Sequence, residues 1–422
     1  MLELEKLYAL VAGRLPVIDS RKVSEGCVFF ALRGNRTDGH EYISMALSQG
    51  AFFAIADDPA WKGTEHVYWV PDVTTALQAL AHHHRIVWGK PIIAVAGSNG
   101  KTTTKELLAA VLGTRFHVFA TPGNLNNHLG VPLSLMQLRA DHEMAIIEIG
   151  ANHAGETAFL AELVAPTHGL VTNNGKDHLE GFGSVEGVRK ANAELFDYFR
   201  TRGGQVFVSS MQQDLIEDSF DLQRFTFGVK SSDDFQYSSA SGRTAAISIE
   251  GRVLVSRLAG GFNEENMAAA VCIGGVFGIL PEEAGKGIAQ YVPSLLRSQE
   301  MDWKGMHLRV DAYNANPSSM VASLLAFVRE TPEPRCVVLA DMLEMGAYAA
   351  SEHADIVTLL QTLPLNDVWL VGPCFTEAAA NTRFRTFQRT EDVLEAGGIS
   401  WPAGTHVLLK GSRGYQLEKL IQ

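Results

Sequence analysis

The chain has 422 residues, which at roughly 150 residues per domain points to about three domains and excludes a single small binding module. It is 46% hydrophobic and 19% charged, with 35 Lys and Arg against 47 Asp and Glu, for a net charge of −12. This composition forms cores, and its acidic balance argues against nucleic acid or membrane binding, which relies on clustered basic residues.

The segment MLELEKLYAL carries acidic residues early and no basic stretch before a long apolar core, so no signal peptide is expected. The longest apolar stretch, residues 267–280, is too short and too Gly-rich to span a bilayer. Cys27, Cys272, Cys336 and Cys374 are far apart and make no C-x-x-C pair, which removes the usual zinc spacing and a disulfide framework. A soluble, cytoplasmic protein with no membrane insertion is expected. Short β-type runs at 28–32 and 51–56, separated by the polar segment 33–40, predict a small α/β domain. Residues 77–87 have helical spacing until Gly89-Lys90-Pro91 breaks it, which sets a first domain of 1–88. His82, His83 and His84 lie in that helix; successive helical residues point in different directions, so a solvated helix end is expected, not a metal site.

From Pro91 the pattern becomes strand, turn, helix, repeated: apolar runs at 92–96, 145–149 and 169–172, with a helix at 105–112. Such alternation predicts a mostly parallel, covered sheet. A strand-rich region at 205–258 and a helix from about Asn263 follow, completing a second domain of 89–295. Alternation resumes with runs at 308–311, 336–340, 368–371 and 406–409, so 296–422 reads as a separate α/β domain.

The sharpest signal is the strand Ile92–Ala96 running into Gly97-Ser98-Asn99-Gly100-Lys101-Thr102-Thr103-Thr104. A Gly-rich turn opening a helix aims backbone N–H groups at one point, and the helix N-terminus adds partial positive charge, so phosphate oxygens are held there. Lys101 would reach the β- and γ-phosphates and Thr102 would place its hydroxyl on Mg²⁺. The loop is two residues shorter than the usual G-x-x-x-x-G-K-[ST], with Val95 where the first Gly would stand. Glu148 ends an otherwise apolar strand, where an unpaired carboxylate is costly and a cation explains it. His178 lies past the third strand, at the sheet edge where ligands of open α/β sheets collect. Thr102, Glu148 and His178 make a ligand set for Mg²⁺.

Together these stretches resemble the Mur ligases, ATP-dependent amide-forming enzymes of peptidoglycan precursor synthesis. The matching segments are DSRKVSEGCVFFALRGNRTDGHEYI at 19–43, GSNGKTTTKE at 97–106, TPGNLNNHLGVPLSL at 121–135 and EIGANHAGE at 148–156. They continue with TNNGKDHLEGFGSVEGV at 172–188, DAYNANPSSM at 311–320, ADMLEMG at 340–346 and LLKGSRG at 408–414. The resemblance is strongest to the branch that adds D-alanyl-D-alanine to UDP-N-acetylmuramoyl-tripeptide. It implies a small N-terminal α/β domain, a central P-loop ATPase domain with a parallel sheet, and a C-terminal Rossmann-like α/β domain closing over ATP and dipeptide. It also implies ATP and Mg²⁺ as cofactors, an acyl-phosphate intermediate and a monomer. The alternatives are another Mur or folylpolyglutamate-type ligase with a different amino acceptor, against which the NPSSM and KGSRG stretches speak, and a P-loop kinase or NTPase.

By resemblance, Gly97, Ser98, Asn99, Gly100, Lys101, Thr102, Thr103, Asn263, Asn266, Arg297 and Asp311 bind ATP, and Lys101, Glu148, His178 and Arg297 carry catalysis. Ser20, Arg21, Asp38, Gly39 and His40 would hold the UDP end of the substrate, and Asn316, Ser318, Ser319, Lys410, Ser412 and Arg413 are the candidates for peptide or dipeptide contact. One departure is evident: Asn192 stands where many members carry a lysine that becomes carbamylated and helps bind a second Mg²⁺, and Lys190 lies on a different side of the helix. The expectation is that Asn192 or a water holds that metal directly.

Overall fold

A five-residue apolar strand with helices before and after it has to be covered on both faces, and every residue of Ile92–Ala96 is buried. The computed structural model describes residues 2–34, 37–240, 242, 244–293 and 296–422, with only the backbone of Leu2. Side chains alternate along this strand: Ile92, Ala94 and Ala96 pack with Leu195 and Phe196, whereas Ile93 and Val95 pack with Leu107, Leu108 and Met267 on the opposite face. Burying each larger side chain of this kind contributes about 1.5–3 kcal/mol.

The strand is central in a seven-stranded parallel sheet. In spatial order this runs Phe235–Gln236, Arg224–Gly228, Gln205–Ser209, His168–Val171, Ile92–Ala96, Met144–Glu148 and Val118–Ala120. The chain leaves Ile92–Ala96 to build one side of the sheet and returns to build the other, so the loops after three adjacent strands open at a topological switch point. The rest of the strand-rich region forms a separate antiparallel sheet, Ser238–Ser239, Thr244–Ile249 and Arg252–Ala259.

Before this unit lies a four-stranded parallel sheet, Pro16–Val17, Val28–Phe30, Phe53–Ala56 and Val67–Trp69. The helix Val73–Trp88, capped by Asp72 on the Thr75 N–H and ended by left-handed Gly89, joins the two units within one continuous apolar core. The histidine run is therefore not a solvated helix end. His84 bridges the Tyr8 hydroxyl at 2.7 Å and the Leu138 carbonyl at 2.8 Å, and His82 meets the Leu163 carbonyl at 3.1 Å. The helix ends within one residue of where its spacing breaks; the difference lies in its packing against three other segments, long-range contacts that local spacing does not encode.

The last unit is a six-stranded sheet ordered Gln299–Trp303, Met306–Asp311, His406–Lys410, Arg335–Ala340, Asp367–Val371 and Arg385–Phe387, parallel except for its first pair. The boundary expected after residue 295 falls on Leu295, which lies outside the described residues. Among the described residues no helix is long and apolar enough to cross a membrane, and all four cysteines are free.

The second and third units share apolar surface. Leu179 and Val188, which follow the central strands, are buried in the core of the third unit with Met342, Met345 and Phe375. Leu179→Ala is expected to lower stability by about 2–4 kcal/mol, read as an early loss of the third unit's transition in urea unfolding.

Candidate active site

The loops after the three adjacent central strands and several loops of the third unit enclose a cleft of 990 Å³. Its floor is the phosphate loop. Gly97 and Gly100 take left-handed φ values of 114° and 84°. A Cβ on Gly97 would lie 2.3 Å from Thr172 Oγ1 and one on Gly100 2.5 Å from Asn266 Oδ1, so neither position admits a side chain. The loop is fixed from the neighbouring strand: Asn173 accepts from the Asn99 N–H at 3.0 Å through its side chain and from the Ser98 N–H at 2.9 Å through its carbonyl. Lys101 is folded back on the loop, donating to the Gly97 and Ser98 carbonyls, and the Ser98 hydroxyl is buried without a partner.

Glu148 ends the strand beside the loop and is 1% exposed. Its Oε1 accepts from Thr102 Oγ1 at 3.1 Å and from Asn126 Nδ2 at 2.8 Å, while Oε2 has no hydrogen bond. A cleft-lining carboxylate with one oxygen free of hydrogen bonds, next to a threonine hydroxyl, suits a hard divalent cation. Thr102 and Glu148, two of the three residues expected to hold Mg²⁺, thus stand side by side in the cleft. His178 lines the same cleft, but its Nδ1 is paired with Glu344 Oε2 of the third unit at 2.6 Å. That bond holds the Glu344 carboxyl below the usual carboxylate range.

The other nucleotide candidates also reach the cleft. Asn263 Nδ2 donates to the Ala259 carbonyl, its Oδ1 accepts from Asn266 Nδ2, and Asn266 Oδ1 accepts from Thr104 Oγ1, which ties this helix start to the phosphate-loop helix. Arg297 stacks 3.7 Å from the Tyr313 ring centroid, and its Nε is buried without a partner. Asp311 is ion-paired with Lys410 at 2.5 Å, because the two are register partners on adjacent strands. Asn316 caps the helix Pro317–Glu330 by accepting from the Ser319 N–H, and it donates to Asn99 Oδ1 at 2.9 Å. Ser318 Oγ accepts from the Lys176 N–H at 3.0 Å, so the third unit rests on the phosphate loop through Asn316 and on the loop after His168–Val171 through Ser318. Ser412 accepts from the Leu343 N–H, and Arg413 pairs with Glu418; Ser319, Ser412 and Arg413 all line the cleft.

One expectation changes. Asn192 does not reach the cleft: it is buried, and its amide donates to Asn174 Oδ1 at 2.8 Å, so Asn174 lies between it and the open space. A direct Asn192–metal contact does not fit this arrangement. Lys190 is 74% exposed and pairs with Glu186, away from the site.

The first-unit residues Ser20, Arg21, Asp38, Gly39 and His40 do not line the cleft. Arg21 is exposed and pairs with Asp19, and Ser20 begins the short helix that Asp19 caps. Asp38 accepts from the His40 N–H and ring, and His40 Nε2 accepts from the Asp57 and Asp58 N–H groups. A Cβ on Gly39 would lie 2.6 Å from the Leu32 carbonyl oxygen. This turn is held by those hydrogen bonds and by the close approach of Gly39 to Leu32.

Asn126, Asn173, Tyr313 and Glu344 were not singled out in the sequence, although all four line the cleft. Asn126 lies in the quoted TPGNLNNHLG stretch, and its run of asparagines between glycines was the available signal.

Residues 17–85, 95–274 and 297–413 match, in turn, the Mur ligase family catalytic domain, the Mur ligase middle domain and the Mur ligase glutamate ligase domain. The chain belongs to the Mur ligase family. It is similar to the UDP-N-acetylmuramoyl-tripeptide--D-alanyl-D-alanine ligase of Bacillus subtilis, at 31% identity over 96% of this chain and 91% of that one. Among solved structures it is similar to MurF from Acinetobacter baumannii, with 30% identity, a TM-score of 0.85 and coverage of 96% and 92%. It also resembles the Thermotoga maritima MurF ligase in complex with ADP, with 25% identity, a TM-score of 0.82 and 96% of both chains covered.

Two predictions test this geometry. Gly97→Ala pushes a methyl into Thr172 and should weaken ADP binding at least about a hundredfold, measured by calorimetry. The Asp38 carboxyl is held down to about 2, first by the His40 backbone N–H and then by the His40 ring. A depressed folded-state value stabilises above the unfolded value and loses that contribution as pH falls toward the folded one. The urea-midpoint difference between wild type and Asp38→Asn should therefore be full at neutral pH and narrow as pH falls from about 4 toward 2.

Proposed function

We propose that this chain joins D-alanyl-D-alanine to UDP-N-acetylmuramoyl-tripeptide with release of ADP and phosphate, as a cytoplasmic monomer in peptidoglycan precursor synthesis. The observation that carries this reading is the single cleft in which a phosphate loop, a buried Glu148–Thr102 pair and the third unit's Asn316, Ser318 and Lys410 face one another. The proposed division of labour is 1–88 for the UDP end, 89–295 for ATP, and 296–422 for closure over ATP and dipeptide.

A carboxylate is a poor electrophile, so the γ-phosphoryl group first passes to the tripeptide carboxylate and makes an acyl phosphate. The dipeptide amine then adds to the acyl carbon, the C–N bond forms, the C–O bond to phosphate breaks, and the amine gives up its proton. Catalysis of this kind is positioning and charge neutralisation. With the Ser98 and Asn99 N–H groups held by Asn173, the N–H groups of Gly100 and of the helix start at Lys101 and Thr102 cradle the phosphates. Lys101 leaves the Gly97 and Ser98 carbonyls to meet them, and Arg297 brings a second positive charge on the stacked Tyr313 ring.

Thr102 and Glu148 would hold Mg²⁺, which supplies charge neutralisation at the transferring phosphoryl group, and His178 stands in the same cleft at the join between units. Asn263, Asn266 and Asp311 face the nucleotide, and Ser319, Ser412 and Arg413 with Asn316, Ser318 and Lys410 face the peptide ends. Ser20, Arg21 and the Asp38-Gly39-His40 turn take the uridine nucleotide end.

Phosphate release from ATP with purified protein and Mg²⁺ should require both the UDP-linked tripeptide and D-alanyl-D-alanine, with the pentapeptide product found by mass spectrometry. Lys101→Ala should lower kcat/KM at least about a hundredfold. Release that ignores both substrates would overturn the ligase reading.

A further inference from the structure

The charge nearest the Glu148 carboxylate belongs to the protein itself. Lys105 follows Lys101 by four residues on the helix Lys101–Leu112, so it shares a face with the phosphate-loop lysine. A lysine this close to a helix start usually reaches water, but Lys105 has 0% exposure and is among the largest fully buried side chains. Its Nζ donates to the Thr121 carbonyl at 2.7 Å and the Gly123 carbonyl at 3.0 Å. Its carboxylate neighbours are Glu106 Oε1 at 3.0 Å and Glu148 Oε2 at 3.7 Å. That last atom is the oxygen of Glu148 without a hydrogen bond. A divalent cation taken up on that oxygen would therefore share it with a fixed ammonium, in a place where water screens little.

We propose that Lys105 sets the cation affinity of this site: its fixed charge offsets Glu148, so the protein alone holds a divalent cation weakly and retention depends on the phosphate oxygens of a bound nucleotide. This rests on the reading of Thr102 and Glu148 as cation ligands. Like charges on a shared carboxylate oppose one another, most strongly where the dielectric is low. A bracing role alone has the opposite sign. If Lys105 served only to tie the Thr121–Gly123 backbone and so steady Asn126 against Glu148, removing it would loosen the ligand and weaken cation binding.

The test uses Mn²⁺ as probe, with free Mn²⁺ counted by electron paramagnetic resonance on the full chain without nucleotide and again with ADP. Lys105→Met keeps most of the volume and removes the charge, and it should bind Mn²⁺ without nucleotide at least about fivefold more tightly than wild type. Thermal unfolding and metal-free ADP binding check its fold. Glu106→Gln, at a one-third-exposed position, leaves Glu148 as the carboxylate paired with Lys105 among the described residues and should weaken Mn²⁺ binding by about two- to threefold.

Unchanged or weaker Mn²⁺ binding by folded Lys105→Met overturns the proposal. If that variant does not fold, unchanged or tighter binding by Glu106→Gln overturns it. Glu148→Gln separates this failure from that of the underlying reading. If it leaves Mn²⁺ binding to the ADP complex intact, the cation-ligand reading falls and the Lys105 role falls with it. If it removes that binding while Lys105→Met brings no tightening, the Lys105 role alone is lost.

Discussion

The Thr102 hydroxyl and the Asn126 amide donate to the same oxygen of Glu148, and most of the central unit can be read as the means of bringing those three groups together. Thr102 arrives from the helix after Ile92–Ala96, and Glu148 from the strand paired with it, where Val95 and Glu148 are register partners. Asn126 arrives from the segment before that neighbouring strand. It fits because Gly150 has no side chain; a Cβ there would lie 2.7 Å from Asn126 Cγ. A parallel sheet with its switch point at Ile92–Ala96 is a simple arrangement in which all three ends converge without exposing the carboxylate to bulk water.

The third unit is tied to this centre by polar contacts at its rim and apolar ones beneath. Asn316 on Asn99, Lys176 on Glu352 at 2.7 Å and His178 on Glu344 join side chains across the boundary. Further along the boundary Glu330 Oε1 accepts from the Gly261 N–H at 2.9 Å, while Glu330 Oε2 pairs with buried Arg309. Gly261 precedes the Asn263–Asn266 turn, so both sides of the nucleotide cleft are linked to the same partner. Partly exposed ion pairs contribute little each; the buried Leu179 contact adds what they do not.

How far the sequence could be read followed sequence distance. Ile92–Ala96, its Gly-rich turn and the helix start at Lys101 are contiguous, and local chemistry is enough to recognise them. Glu148 was legible because a carboxylate closing an apolar strand needs a partner. Which partner was not: Lys105 looks like an ordinary helix lysine until Thr121 and Gly123 are folded beside it. Asp311 and Lys410 lie far apart in the chain, and their ion pair follows only from the strand order that makes them neighbours. Asn192 and the His82–His84 run were misjudged for the same reason, since what they touch, Asn174, Tyr8 and Leu138, is set by packing between helices and loops.

Leu179 and Val188 also bear on the order in which the chain can fold. They belong to the middle of the polypeptide, yet their apolar neighbours Met342, Met345 and Phe375 come far later. During synthesis from the N-terminus, the central sheet can close while the segment around His178 still lacks its partner surface. That segment can reach its final place only after the third sheet has emerged, so the middle of the molecule is among its last parts to settle.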